Sequence, residues 1–380
     1  MSARPPRVLL VSHYYPPHLG GIENVVHREA QGLSAQGVDV TVLTSASRSS
    51  VTVEEGVRVV RVAAWNGTER RAGVPFPVFS PALLTAALRL ARRADAVHIH
   101  DCLYLSSWAA GLAARLTRTP YVLTQHVAVV DHPSPLVKAV QRAVYGVAGR
   151  GLLRGARSVF TLNASVARFV RARGAQEHRA HHLANGVDTG HFRPATSVAE
   201  RLFARERFGL PADRVLVLFA GRLVPKKGYD LLLAAHAPDA GYDLVFSGDG
   251  DTEALAGRPG VHHLGALSRE AMADAYRACD VFALPSTAEG FPLTVQEAMA
   301  SGLPVVTTDD PGYAPYHLDR DRVSLLPRDV AALAAELRTL ATDPERRACM
   351  GAYSRTYAEK AFAWDDHVQT LLAHYCGRGE

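Results

Sequence analysis

The sequence predicts an α/β chain made of two doubly wound halves, each a parallel sheet with helices on both faces. Three observations predict it. Short apolar runs alternate with stretches of helical periodicity from end to end. The 380 residues are enough for two domains at roughly 150 residues each. Between two such series lies Asn185-Gly186-Val187-Asp188, followed by Phe192 and Pro194, a turn-rich stretch suited to a linker. The domains are therefore set at 1–192 and 193–360.

The first unit reads Arg7–His13 as strand, Tyr14–Gly21 as loop, Ile22–Gln36 as helix and Val38–Ser45 as strand. Ile22, Val25, Val26, Ala30 and Leu33 fall on one helix face, and Gly37 is a natural stop. Further strands are expected at Val57–Ala63, Ala96–His100, Tyr121–Gln125 and Ser158–Leu162. The second series opens at Val215–Ala220. It continues with Asp243–Ser247, Val261–Gly265, Val281–Leu284 and Pro304–Thr307. Open sheets bind ligands in a crevice at the carboxyl ends of their strands, so each half should carry one. If the two edges face each other, the ligand sits between the domains.

Composition excludes several classes. With 48% hydrophobic residues the chain is not disordered, and a net charge of +5 over 380 residues is too thin a field for nucleic acid. Four scattered cysteines without a CxxC pair fit neither a disulfide framework nor a zinc site, so a reducing cytoplasm is expected. Val8–Val11 is too short for a signal-peptide core, and no run approaches the ~20 apolar residues of a membrane span. Of 42 basic residues only Lys138, Lys226, Lys227 and Lys360 are lysines, which makes the adjacent pair stand out.

The segment Ala288-Glu289-Gly290-Phe291-Pro292-Leu293, running on to Glu297 and Gly302, follows a strand and opens a helix, with Pro292 placed for its first turn. Amides around Gly290 to Leu293 form the positive end of that helix, and two carboxylates beside it, Glu289 and Glu297, can accept hydrogen bonds from vicinal hydroxyls. A second motif, Gly221-Arg222…Lys227-Gly228, joins another strand to its helix. A guanidinium fork and an ammonium there suit a diphosphate, although GxxxxGK[ST] spacing is missing. A third is Gly20-Gly21 before the first helix, where GxGxxG is absent. Asp249-Gly250-Asp251 has a DxD pattern, but in Ser247-Gly248-Asp249-Gly250 the glycine backbone is the expected functional element rather than a metal ligand. His98, His100 and Asp101 could form a metal cluster, or His98 and His100 could simply alternate on a strand end. His126 lies just past a strand, at the carboxyl edge. A helix over residues 137–154, within a stretch holding eight arginines and one acid, could touch anionic lipid at the inner face of a membrane.

Taken together, Pro16-Pro17…Gly20-Gly21, Asn185-Gly186-Val187-Asp188…Phe192, Gly221-Arg222…Lys227-Gly228, Gly248-Asp249-Gly250 and the glutamates seven residues apart resemble the retaining glycosyltransferases of the GT-B fold. The branch is the glycogen-synthase-like and mannosyltransferase-like one, group 1. The resemblance covers nearly the whole chain and implies two Rossmann-like domains facing across a cleft, with residues 361–380 returning to the first. It implies a retaining, metal-independent transfer of a hexose from a UDP- or GDP-sugar to an acceptor hydroxyl, with no cofactor. Arg222 and Lys227 would neutralise the diphosphate, Glu297 would hold the ribose, and Glu289 with the Gly290 and Phe291 amides would hold the sugar. Gly20 and Gly21 would approach the diphosphate, and His126 would line the reaction centre. Asp309-Asp310-Pro311-Gly312-Tyr313 departs from the family's Gly-Gly-x-Pro-Glu turn, and Val127-Ala128-Val129-Val130 after His126 is more apolar than usual. A nucleotide-sugar epimerase of similar architecture and a non-catalytic sugar-nucleotide-binding protein are the alternatives.

Overall fold

The structure, a computed structural model, describes residues 4–18, 20–67, 76–128, 135–237, 239–287 and 290–377. The chain divides into two compact units, Met1–Asn185 with Trp364–Glu380, and Gly186–Ala363.

In the first unit the strands are β1 (Arg7–Val11), β2 (Asp39–Ala46), β3 (Ser50–Glu54), β4 (Val57–Trp65), β5 (Val78–Phe79), β6 (Ala96–His100), β7 (Tyr121–Gln125), β8 (Val159–Thr161) and β9 (Ala180–His182). They order as β3-β4-β2-β1-β6-β7-β8-β9, with β5 also on β4. Only β3 and β5 run antiparallel. Alternate side chains of β1 enter opposite cores: Leu9 and Val11 join one, Val8 and Leu10 the other, so the sheet is covered on both faces. Helix α1 (Gly21–Ala35) buries Val25, Val26, Ala30 and Leu33, and Gly37 turns the chain out at φ +80°. The second core is completed from far along the sequence. Val368, Leu371 and Tyr375 of the helix Trp364–Tyr375 pack with Val8, Val26 and Leu33.

The second unit has one parallel sheet, in the order β12-β11-β10-β13-β14-β15. Its strands are β10 (Val215–Ala220), β11 (Tyr242–Ser247), β12 (Val261–His263), β13 (Val281–Leu284), β14 (Val305–Thr308) and β15 (Ser324–Leu326). In both units the order reverses beside the first strand of the series, between β1 and β6 and between β10 and β13. Such a reversal opens a crevice at the carboxyl edge.

Several details differ from the sequence reading. The short edge strands β3, β5, β9 and β15 are additional. The division falls at Asn185/Gly186 rather than at 192/193, because the Val187 N–H donates to the Phe362 carbonyl at 2.8 Å and Phe192 packs edge-on against Tyr276 at 5.8 Å. The first unit takes the chain back at Trp364, three residues later than read. The helix expected over 137–154 is two, Pro135–Val144 and Arg150–Gly155, joined by a π turn at Tyr145–Gly149. Pro292 precedes its helix, which starts at Leu293.

Candidate active site

In the first unit the carboxyl ends of β1, β6 and β7 bring together His13, His100, Asp101 and His126, all buried. His126 Nε2 lies 3.1 Å from His100 Nδ1. Burial, aided by the neighbouring His100, pushes the His126 imidazolium down to about 3, so this ring is neutral at ordinary pH. His13 is lowered similarly and stacks on Tyr104 at 3.6 Å. Behind them lies Glu29 of α1, fully buried, with Oε2 at 3.2 Å from His100 Nε2 and 3.5 Å from His98 Nδ1, and Oε1 at 2.9 Å from His367 Nε2. Glu29, His98 and His100 offer ligand atoms within 4.8 Å of one another, the only such grouping of metal-ligating side chains among the described residues. Both nitrogens of His98 are engaged, with the Tyr375 hydroxyl and with Thr124 Oγ1, each at 2.7 Å, so a cation there would have to displace a hydrogen bond.

Gly20 caps α1 in extended conformation, which any residue could adopt. An added Cβ would stand 2.1 Å from Glu23 Oε2, so that carboxylate would have to turn away to admit a side chain. Glu23 is itself buried and faces His18 at 3.2 Å, so a carboxylate of α1 already stands beside its amino end. Gly21 has open space around it.

In the second unit, the loops after β10, β11 and β13 carry the remaining residues. The loop Gly221–Leu223 continues the parallel pairing beyond the strands: Gly221 N–H donates to Ser247 O and Leu223 N–H to Asp249 O. Side chains at Gly248 and Gly250 would meet the Gly221 and Leu223 carbonyls at 2.1 and 2.5 Å, and their φ values are +136° and +138°. These glycines are required by loop-to-loop contact. Asp251, the second acid of the DxD pattern, accepts from the Tyr229 hydroxyl at 2.6 Å. Arg222 is exposed, and the Lys227 stem passes Gly221, where an added Cβ would be 3.8 Å from Lys227 Cδ. Gly228, at φ +80°, lies against Pro285, leaving no room for a side chain. Thr287 N–H donates to Lys226 O at 2.9 Å, so the Lys227 loop is tied to the segment entering the glutamate motif.

The helix Leu293–Ala300 opens here; the Val295 and Gln296 N–H groups donate to the Pro292 carbonyl at 3.0 and 3.2 Å, which leaves the Leu293 and Thr294 amides as its leading ones. Phe291 is buried beside them, stacked on Tyr316 at 4.1 Å and edge-on to Tyr313 at 4.9 Å, so only its backbone can face a ligand. Those tyrosines belong to the 3-10 turn Pro311–Tyr316, where the sequence departs from the family turn. Glu297 is partly buried. Burial pushes its carboxyl up to about 7, while the Tyr276 hydroxyl, donating at 2.9 Å, pulls it down. Glu289 lies outside the described residues.

Sequence reasoning missed Glu29, His367, Tyr276 and Arg328. Arg328 donates to Thr287 Oγ1 at 3.3 Å and to Pro225 O at 3.1 Å, bridging the two motif loops.

The pattern of matches decides the family. Residues 200–357 match the model for glycosyl transferases group 1, and residues 20–186 match the glycosyl transferase 4-like domain. A D-inositol 3-phosphate glycosyltransferase of Xylanimonas cellulosilytica is 32% identical over 98% of this chain and 97% of that protein. The chain belongs to the group 1 glycosyltransferases. The enzyme of the same name from Streptomyces avermitilis is 30% identical to this glycosyltransferase over 96% of its length and 86% of the relative's. Among solved structures, sucrose-phosphate synthase from Thermosynechococcus elongatus matches with a TM-score of 0.76 at 21% identity, over 98% of both chains. Anabaena HepE in complex with UDP matches with a TM-score of 0.74 at 18% identity, over 98% of the glycosyltransferase and 100% of HepE. These establish the GT-B fold. No described helix is long and apolar enough to cross a membrane.

Proposed function

We propose that this glycosyltransferase moves a hexose, with retention and without a metal ion, from a UDP- or GDP-sugar to a hydroxyl of a phosphorylated polyol of the inositol phosphate kind. The observation that carries the donor half is the tying of the Arg222–Lys227 loop to the segment entering the glutamate motif, through Thr287 and Arg328. Two cations on one loop suit a diphosphate whose charge grows as the sugar leaves, and cationic stabilisation of that charge lowers the barrier. Glu297 would accept from the ribose hydroxyls, and the Gly290 and Phe291 amides with Glu289 would hold the sugar. The backbone at Gly248 and Gly250 would border the donor. In the first unit Gly20 and Gly21 would approach the diphosphate, and His126 would line the reaction centre. The acceptor hydroxyl would attack from the leaving-group face, its proton passing to a phosphate oxygen. The acceptor class follows the relatives' name and their coverage of nearly the whole chain.

The exposed Val140 and Val147 beside Arg142 and Arg150 support a peripheral contact with anionic membrane at the cytoplasmic face. The deciding experiment screens UDP- and GDP-hexoses for thermal stabilisation, then offers inositol phosphates with the stabilising donor and reads the anomeric configuration of the product. Donor binding without transfer to any hydroxylated acceptor would point to the non-catalytic alternative.

A further inference from the structure

The buried side chains behind the first unit's carboxyl edge can be assigned their protons one at a time. His367 Nδ1 stands 2.8 Å from the Ala184 carbonyl, which can only accept, so that nitrogen carries hydrogen. Its Nε2 faces Glu29 Oε1 at 2.9 Å. Burial alone would raise the Glu29 carboxyl. The imidazoles of His100 and His98 and the bond from His367 overcome that and hold it well below the usual range. Glu29 is thus a carboxylate, and His367 donates to it as well, with hydrogens on both nitrogens.

The second oxygen faces His100 Nε2 at 3.2 Å, off the line of a proper hydrogen bond, and His98 Nδ1 at 3.5 Å; among the described residues neither Oε2 nor His100 Nε2 makes a hydrogen bond. An imidazole lone pair aimed at a buried carboxylate is repelled, whereas an N–H is attracted, most strongly where no water screens the pair. His100 therefore carries its hydrogen on Nε2. In a neutral His100 ring Nδ1 is then an acceptor, and the contact with His126 Nε2 at 3.1 Å needs a hydrogen from His126. A neutral ring has one hydrogen, so His126 Nδ1 is left with a bare lone pair. Among the described residues the other ionisable groups acting on these rings are His98, whose nitrogens are held by Tyr375 and Thr124, His13, stacked on Tyr104, and Asp101, which accepts from the Leu103 N–H at 3.0 Å.

We propose that Glu29, acting through His100, fixes His126 as the Nε2–H tautomer, so that its Nδ1 accepts a hydrogen bond from a hydroxyl of the substrate. Glu29 and His100 are positioning residues, and His126 is the group that reads the substrate. The substrate group at this point is a neutral O–H donor, not a carboxylate or phosphate, since a bare nitrogen repels an anion. That anionic groups are met by Arg222 and Lys227 instead rests on the transfer reaction proposed above; the tautomer does not.

The test uses full-length protein labelled with nitrogen-15 in histidine, without substrate. Long-range proton–nitrogen correlation reads which ring nitrogen carries hydrogen, and the His126→Asn spectrum identifies the His126 signals. Wild type should show hydrogen on His126 Nε2 and on both nitrogens of His367. Glu29→Asp should keep this pattern. Glu29→Gln, whose carboxamide can turn a donor toward His100, should move the His126 hydrogen to Nδ1. Hydrogen on Nδ1 in wild type, or a His126 spectrum unmoved in Glu29→Gln, overturns the proposal, and the wild-type reading stands even if the variants do not fold. In transfer assays, one monodeoxy sugar or acceptor should lose about 10- to 100-fold with wild type and nothing further with His126→Ala. Equal losses with both enzymes for every deoxy compound would overturn the hydroxyl assignment. Failure of all transfer would instead count against the proposed reaction, leaving the tautomer measurement to decide the network.

Discussion

The Tyr276 hydroxyl donates to Glu297 Oε2 at 2.9 Å, and this bond opposes the burial that lifts the Glu297 carboxyl to about 7. The ionised form accepts from the two hydroxyls of a diol more strongly than the neutral acid does. Donor affinity should therefore weaken as pH falls through 7, and calorimetric titration of the donor nucleotide from pH 5.5 to 8.5 would show it. Tyr276→Phe removes the group that favours ionisation, so the limb should move to higher pH. A flat profile would remove Glu297 from the ribose.

The same carboxyl has a stability consequence. Its folded value lies above the ordinary unfolded one near 4.5, so the folded state is progressively disfavoured from about pH 4.5 to 7 and fully so above that range. Glu297→Gln should raise the melting temperature at pH 8, by roughly 2–4 °C per kcal/mol relieved, and have little effect at pH 4.

Arg222 is exposed and Lys227 partly so, and neither holds up a core. Arg222→Ala and Lys227→Ala should each lower kcat on the order of 10²-fold, corresponding to about 3 kcal/mol at the transition state. Melting curves should remain close to wild type. Near-normal turnover in both variants would exclude the loop from the diphosphate.

Gly248→Ala should act differently. A methyl group 2.1 Å from the Gly221 carbonyl cannot be accommodated without parting the two loops. A loss on the order of 1–3 kcal/mol in stability is expected, together with loss of nucleotide binding. Arg328→Ala should raise donor KM several-fold while leaving the fold intact, because its two bonds join loops and not core elements.

Transfer should proceed in the presence of EDTA. Asp251 already accepts from Tyr229, which argues against its holding a cation. Abolition by EDTA with restoration by a divalent metal would return Asp249 and Asp251 to consideration as ligands.

The architecture was legible where burial is two-sided. Val215–Ala220 is wholly apolar, and Tyr242–Ser247 is buried throughout with Leu244, Val245 and Phe246 at its centre, because both faces of the sheet are covered; such runs announce themselves. Ser50–Glu54 did not: it is an exposed edge strand with alternating polar residues. The pairs within the site were the least legible. Glu29 reads as one more polar residue on an amphipathic helix, and nothing local distinguishes it from Arg28. Its meaning comes from His367, 338 residues later, and from His100 on a third element. The Arg328 bridge is likewise a product of packing, with no motif around it. Motif glycines were visible in the sequence, but their reason was not. Gly248 and Gly250 are explained by the Gly221 and Leu223 carbonyls, which only the folded loops bring close.

The placement of Val368, Leu371 and Tyr375 within the core of the first unit sets an order on synthesis. Domains generally complete themselves as they leave the ribosome, the earlier one first. Here the earlier one cannot finish: while residues 186–363 are being made, α1 lacks the helix that covers it, and Glu29 waits without His367. The second unit, contiguous in sequence, can close before the first. The nascent chain thus carries an open apolar face for much of its translation, and it is the helix Trp364–Tyr375, emerging only after the second unit, that seals it.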